Sequence, residues 1–217
     1  MDFIEGIINI IYPNVCGICG KINKEYVCKK CYNKICNNIL GNIQNCKQEK
    51  YFRKHIYVCK YKGIIREKLI DYKFNNQSYL YKMFSNFVLK NEKICGMLKN
   101  YDIIIPVPIH KKRERQRGYN QSYLIAKELQ KNISNLKIVN NAIIKTKNVA
   151  PQSELTKLQR KENVKNAYKV VKTEKVKNKR IIIIDDIYTT GSTVRECSKM
   201  LREAGSSTID VLTIAKD

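Results

Sequence analysis

Short apolar runs alternate along this chain with stretches in which apolar residues recur every three or four positions. "HIYVCKY" (55–61), "YDIIIPVPI" (101–109), "RIIIIDDI" (180–187) and "TIDVLTIAK" (208–216) read as strands, and "KIVNNAIIKT" (137–146) contains another. "GIIREKLIDYKF" (63–74) has Ile64, Ile65, Leu69 and Tyr72 near one stripe, which is helical spacing. "SYLYKMFSNFVLKN" (78–91), "NQSYLIAKELQKN" (120–132) and "STVRECSKMLREAG" (192–205, closed by Gly205) read the same way. Strands alternating with helices predict an α/β fold with a mostly parallel sheet covered on both faces. The unbroken run Ile181–Ile184 suits a strand buried on both sides.

The first residues follow the helical rule too. Phe3, Ile4, Ile7, Ile8 and Ile11 predict a short amphipathic helix ended by Pro13. Asp2 and Glu5 stand where a secretory leader would carry basic residues, and no run approaches a membrane span, so no membrane insertion is expected. Polarity and charge rise over 46–54. This divides the chain into an N-terminal unit, 1–50, and an α/β body, 51–217.

Cysteine spacing adds a metal to the picture. "CGICGKINKEYVCKKC" holds Cys16, Cys19, Cys28 and Cys31 as two C-x2-C pairs eight residues apart. Each pair lets two thiolates converge on one ion, and two pairs complete the four-sulfur shell that structural zinc prefers. The alternative is a pair of disulfides, which a reducing cytoplasmic location disfavours. Cys36 and Cys46 are candidates for a second, partial site, whereas Cys59, Cys95 and Cys197 read as small buried hydrophobes.

The 217 residues carry a net charge of +23, which favours polyanionic partners: nucleic acid, nucleotides or pyrophosphates. The Lys, Asn and Ile bias of the whole chain accounts for part of that excess, so local clusters weigh more. The densest is Lys111, Lys112, Arg113, Arg115 and Arg117. Tyr119, Tyr123 and Tyr168 are available for base stacking, with core packing as the plainer use. Of the two histidines, His110 suits a surface or capping role, and His55 has no evident partner.

The strand "IIIIDD" ends in two carboxylates and opens into "IYTTGSTV". In a parallel sheet, ligands gather at the carboxyl ends of strands. The turn leads into a helix N-terminus, whose free amides and dipole hold phosphate. Thr189, Thr190, Ser192 and Thr193 add hydroxyls, and Gly191 lets the backbone close around an anion. Carboxylates beside a phosphate make sense if Asp185 and Asp186 face sugar hydroxyls or a magnesium ion. The pattern therefore asks for a sugar phosphate. No P-loop and no G-x-G-x-x-G fingerprint is present.

"IIIIDDIYTTGST" resembles the ribose-phosphate signature of type I phosphoribosyltransferases. "PVPIHKKRERQRGYNQS" (106–122) and "PQSELTKLQRKENVKNAY" (151–168) resemble two further blocks of the ComF family, which also begins with a cysteine-paired zinc module. The resemblance covers residues 11–215, with the three blocks in the family's order. The resemblance implies a phosphoribosyltransferase-like parallel sheet flanked by helices, preceded by a small four-cysteine zinc module. It implies binding of 5-phosphoribosyl-1-pyrophosphate (PRPP) with magnesium. Asp185 and Asp186 would take the ribose hydroxyls and be the catalytic pair, Thr189, Thr190, Gly191, Ser192 and Thr193 would cradle the 5-phosphate, and Ile187 and Tyr188 would complete the PRPP-binding segment. Lys111, Lys112, Arg113 and Arg117 would contact pyrophosphate or DNA, with Gln152, Arg160 and Asn163 on a flap. Lys145, Lys147 and Val149 depart from the arginine and threonine expected there, and lysine lacks a bidentate fork. The family's role implies DNA uptake in natural transformation, through single-stranded DNA and the competence machinery. An active transferase in nucleotide metabolism or salvage, and a nucleic-acid-binding module that has lost its ligand, stay open.

Overall fold

The structure, a computed structural model, describes residues 13–147 and 164–217. The helix expected over residues 3–11 and the flap positions Val149, Gln152, Arg160 and Asn163 lie outside the described residues.

The chain enters through the two cysteine knuckles and continues into α1 (Lys29–Ile35), a 3-10 turn (Cys36–Asn38) and β1 (Ile39–Asn45). β2 (Lys54–Lys60) is followed by three helices: α2 (Gly63–Phe74), α3 (Leu80–Leu89) and α4 (Glu92–Leu98). Then come β3 (Ile103–Pro106), α5 (Lys111–Arg117), α6 (Gln121–Asn132), β4 (Lys137–Ile138) and β5 (Ile143–Lys145). After the undescribed segment the order is β6 (Tyr168–Val170), α7 (Thr173–Val176), β7 (Arg180–Tyr188), α8 (Ser192–Glu203) and β8 (Thr208–Lys216).

Among the described residues, six strands form one sheet in the order β1-β2-β8-β7-β3-β4, and β5 and β6 pair separately. All neighbours in the large sheet are parallel except β1, which runs antiparallel to β2. This is the mixed α/β, mostly parallel architecture expected of a type I phosphoribosyltransferase-like chain. Residues 46–53 of the polar stretch 46–54 form the connection between the paired strands β1 and β2, and Lys54 opens β2. The edge strand of the sheet is thus contributed from the N-terminal side of that stretch.

β7 lies between β8 and β3, and its side chains divide the core. Ile182 and Ile184 pack with Leu69, Tyr72, Phe84 and Ile125, beneath α2, α3 and α6. Ile181 and Ile183 pack with Val194, Cys197 and Leu201 of α8. All four isoleucines are fully buried, which explains why this strand reads as continuously apolar rather than alternating. Fully burying each contributes about 1.5–3 kcal/mol. The alternation breaks just after the two aspartates. Ile187 packs on the α2 side and Tyr188 on the α8 side, the reverse of what the pleat upstream would give.

Candidate functional site

The cysteine knuckles fold as their spacing predicts. One sulfur from each of Cys16, Cys19, Cys28 and Cys31 lies within 4.8 Å of the others, a group that could hold a metal ion. Such proximity fits four thiolates around one ion at about 2.3 Å each. The Cys28 amide donates to the Cys16 sulfur at 3.4 Å, and a left-handed Gly20 closes the first knuckle, donating its amide to the Cys16 carbonyl. Burial raises the Cys16 thiol, but the backbone amides around it win and bring it down to about 6. Burial pushes Cys31 up to about 12. The module is seated on α3: a Cβ on Gly17 would lie 2.6 Å from the Met83 sulfur. Cys36 and Cys46 join no cluster of metal-ligating side chains among the described residues. Cys59 and Cys197 are fully buried, while Cys95 is partly buried.

A cleft of about 440 Å³ opens where the carboxyl ends of β3 and β7 meet the end of α2. Asp185 and Asp186 form its floor, with Thr189 and Thr193 from the following turn. Asp185 is held by the Ser122 hydroxyl, 3.1 Å from Oδ1, and by the Asp186 amide at 2.9 Å. Burial, then the adjacent Asp186 carboxylate, pushes the Asp185 carboxyl up to about 7. Asp186 pairs through Oδ1 with the Lys73 ammonium at 2.9 Å. Its Oδ2 is buried without a hydrogen-bond partner among the described residues. Such an atom costs free energy unless a donor reaches it.

The turn is organised as well. Gly191 is left-handed (φ 71°) and caps the 12-residue α8. Thr190 and Ser192 share a hydroxyl hydrogen bond at 2.8 Å. Thr190 Oγ1 also accepts from the Ser192 amide at 3.4 Å, so the turn gathers hydroxyls at a helix N-terminus, the place in a fold that suits an anion.

The cationic run behaves differently from a loop. Lys111–Arg117 is a helix, with His110 Nδ1 accepting from the Lys112 amide at its start and left-handed Gly118 at its end. Arg113 and Arg117, one turn apart, line the cleft, while Lys111, Lys112 and Arg115 point to solvent. Arg117 donates to Gln121 Oε1, and its guanidinium lies 5.5 Å from the Phe74 ring centre. Lys145 also reaches the cleft, with its ammonium 5.4 Å from the Tyr168 ring centre. Burial, then Arg113, lowers its pKa. Lys147 is exposed and donates to the Lys165 carbonyl. Ile187 lines the cleft, but Tyr188 packs away from it.

Several lining residues carry no signal in the sequence. Lys73, Phe74 and Arg66 come from α2, whose pattern announces only an amphipathic helix. Ser122 lies in a motif block but has no chemistry of its own to mark it.

Comparison with known proteins places this geometry. A profile described as "Phosphoribosyl transferase domain" matches residues 119–217. The chain is 30% identical over 225 residues to competence protein F of Haemophilus influenzae, covering 98% of this chain and 94% of that one. It is 26% identical over 208 residues to the DNA utilization protein YhgH of Shigella flexneri (93% and 90% covered). It is also 26% identical over 202 residues to competence protein ComFC of Bacillus subtilis (91% and 75% covered). The four-cysteine module, the parallel sheet and the acid-ended strand sit within an alignment that spans nearly the whole chain, and the chain belongs to the ComF family of phosphoribosyltransferase-like competence proteins.

Proposed function

We propose that the cleft binds PRPP, or a ribose 5-phosphate, and that the protein acts in DNA uptake by handling single-stranded DNA. The observation that carries the first part is the buried, unpartnered Asp186 Oδ2 beside Asp185, one turn from the Thr189–Thr193 helix start. Ribose hydroxyls would donate to the two carboxylates. The 5-phosphate would sit on the amides and hydroxyls of Thr189, Thr190, Gly191, Ser192 and Thr193. Arg113, Arg117 and Lys145 line the same cleft and would face the pyrophosphate. Asp185 and Asp186 are also oxygen donors that fit a hard cation, and magnesium bound there would neutralise part of the diphosphate charge. This placement supplies orientation and electrostatic stabilisation, which is what transfer from a ribose carbon requires. Zinc in the four-cysteine site would have a structural part only, because a closed four-sulfur shell leaves no position for substrate.

The test is thermal unfolding with and without magnesium and PRPP, beside the Asp185→Asn, Asp186→Asn double variant. Ligand at about 100 times its Kd stabilises by about 2.7 kcal/mol, a rise of about 5–10 °C at this chain length. A shift in the wild type that the double variant loses supports the reading. No shift at millimolar ligand overturns it.

The DNA part rests on the relatives named for competence and DNA utilization, and on the outward side of α5. Lys111, Lys112 and Arg115 are exposed there, while Arg113 and Arg117 of the same helix turn into the cleft. Single-stranded DNA affinity is expected to fall steeply with salt. Replacing Lys111, Lys112 and Arg115 by Ala lowers the logarithmic slope by about 0.7 for each phosphate that is no longer neutralised. Binding that ignores salt, or a slope unchanged in the triple variant, contradicts it.

A further inference from the structure

His55 and Tyr188 do not line the cleft, although Tyr188 lies only two residues after Asp186 of its floor. His55 is in β2 and only 1% exposed. Burial, then the charge of Lys216, pushes its pKa down to about 3, so the ring is neutral. Its Nε2 shares a 2.9 Å hydrogen bond with the Thr213 hydroxyl of β8. Its face is stacked on Tyr188 of β7, with ring centres 4.0 Å apart and planes at 27°. Tyr57 is also tilted against it, with ring centres 5.3 Å apart. The Lys216 ammonium lies 5.1 Å from the Tyr57 ring centre and donates to Gln44 Oε1 of β1 at 2.8 Å. A column of side chains thus crosses the sheet from its edge strand to β7.

The last member of that column meets the turn. A Cβ on Gly191 would lie 2.3 Å from Tyr188 Oη and 2.5 Å from Cζ. The phenol therefore occupies the space where any other residue at 191 would keep its side chain. Glycine allows the left-handed conformation but does nothing to hold it. The ring against it limits where the turn can go, and His55 in turn limits the ring. The reversal of the pleat after Asp186 is what brings Tyr188 to this position.

We infer that Tyr188 and His55 are positioning residues that fix the Thr189–Thr193 turn against the sheet, so that its amides and hydroxyls converge on one phosphate. The inference rests on the reading of that turn as a phosphate site. A neutral imidazole suits the place, since it stacks on the phenol and also pairs the buried Thr213 hydroxyl. A charged ring would be uncompensated there.

The experiment uses the full chain with Tyr188→Phe, Tyr188→Leu and Tyr188→Ala. Two quantities are read: affinity for ribose 5-phosphate, and amide hydrogen exchange of residues 190–193 without ligand. Tyr188→Phe is expected to match the wild type in both. Tyr188→Leu and Tyr188→Ala are expected to bind about tenfold or more weakly, because small misplacements of binding groups are costly. Their turn amides exchange faster, while those of β3 and α3 do not. Tyr188→Leu keeps the comparison open if the alanine variant fails to fold. Unchanged exchange in the turn overturns the inference whatever binds, as does wild-type affinity in both truncated variants. A wild type that binds no ribose 5-phosphate, with turn exchange still faster in Tyr188→Leu, removes the phosphate reading and leaves the support of the turn standing.

Discussion

Asp185→Asn is expected to make the ligand-free protein more stable at pH 8 than the wild type, while removing the stabilisation that PRPP confers. The Asp185 carboxyl has its ordinary value, 3.8, in the unfolded chain and about 7 in the folded one, because of burial first and Asp186 second. Between those values the folded chain holds a proton that the unfolded chain has given up. Stability is therefore greatest below the unfolded value and falls as pH rises toward the folded one. At 1.36 kcal/mol per unit the loss is about 4 kcal/mol, complete above pH 7. Asparagine cannot ionise, yet its Oδ1 can still accept from the Ser122 hydroxyl and the Asp186 amide. The variant should thus gain about 2–4 kcal/mol at pH 8, or about 5–12 °C in Tm, with no gain at pH 4. Chemical unfolding of both proteins at the two pH values decides the matter. An asparagine variant that is less stable at pH 8, or equally stable at both, refutes the account. The expected result identifies the cleft floor as a place where stability has been given up for binding.

Removing the metal from the four-cysteine site is expected to have the larger effect on the N-terminal segment. Structural zinc contributes about 10–16 kcal/mol to small four-ligand modules at pH 7, comparable with the whole stability of an ordinary domain, about 5–15 kcal/mol. Within 13–31 the buried side chains are Cys16 and Cys31 themselves, and Ile18, Tyr26 and Val27 add only partly buried contacts with the core. Chelation should abolish amide protection over residues 16–35 and leave β7 and β8 protected. Because burial holds the Cys31 thiol at about 12 in the metal-free state, metal entry must displace its proton. Affinity then rises with pH and fails on acidification. Protection at 16–35 that survives exhaustive chelation, with no metal in the protein, contradicts a structural ion.

The strands and helices that frame the cleft are legible because each carries its own periodicity. Ile181–Ile184 marks a doubly buried strand, and the residues after it can only be a turn and a helix start. The metal site is legible because its four ligands are local in sequence. What escapes is set by topology. Lys73 meets Asp186 only because α2 packs over β7, and no local pattern encodes that pairing. "ILGNIQN" gives no sign of β1, since half-buried and exposed positions alternate along it and none of its side chains is fully buried. The cationic run 111–117 is legible as charge but not as a helix. Its helical turn is what separates Arg113 and Arg117 from Lys111, Lys112 and Arg115. The neutral His55 acquires its partners from β8 and β7, strands far along the chain.

The antiparallel pairing of β1 with β2 has a consequence for any shortened form of this protein. β2 is buried along most of its length and carries Ile56, Val58 and Cys59 into the core. A chain begun at residue 51 would present that strand as an uncovered edge, with a row of unsatisfied amides and carbonyls beside apolar side chains. Such an edge is a template for aggregation. The short N-terminal segment thus also protects the solubility of the sheet it borders.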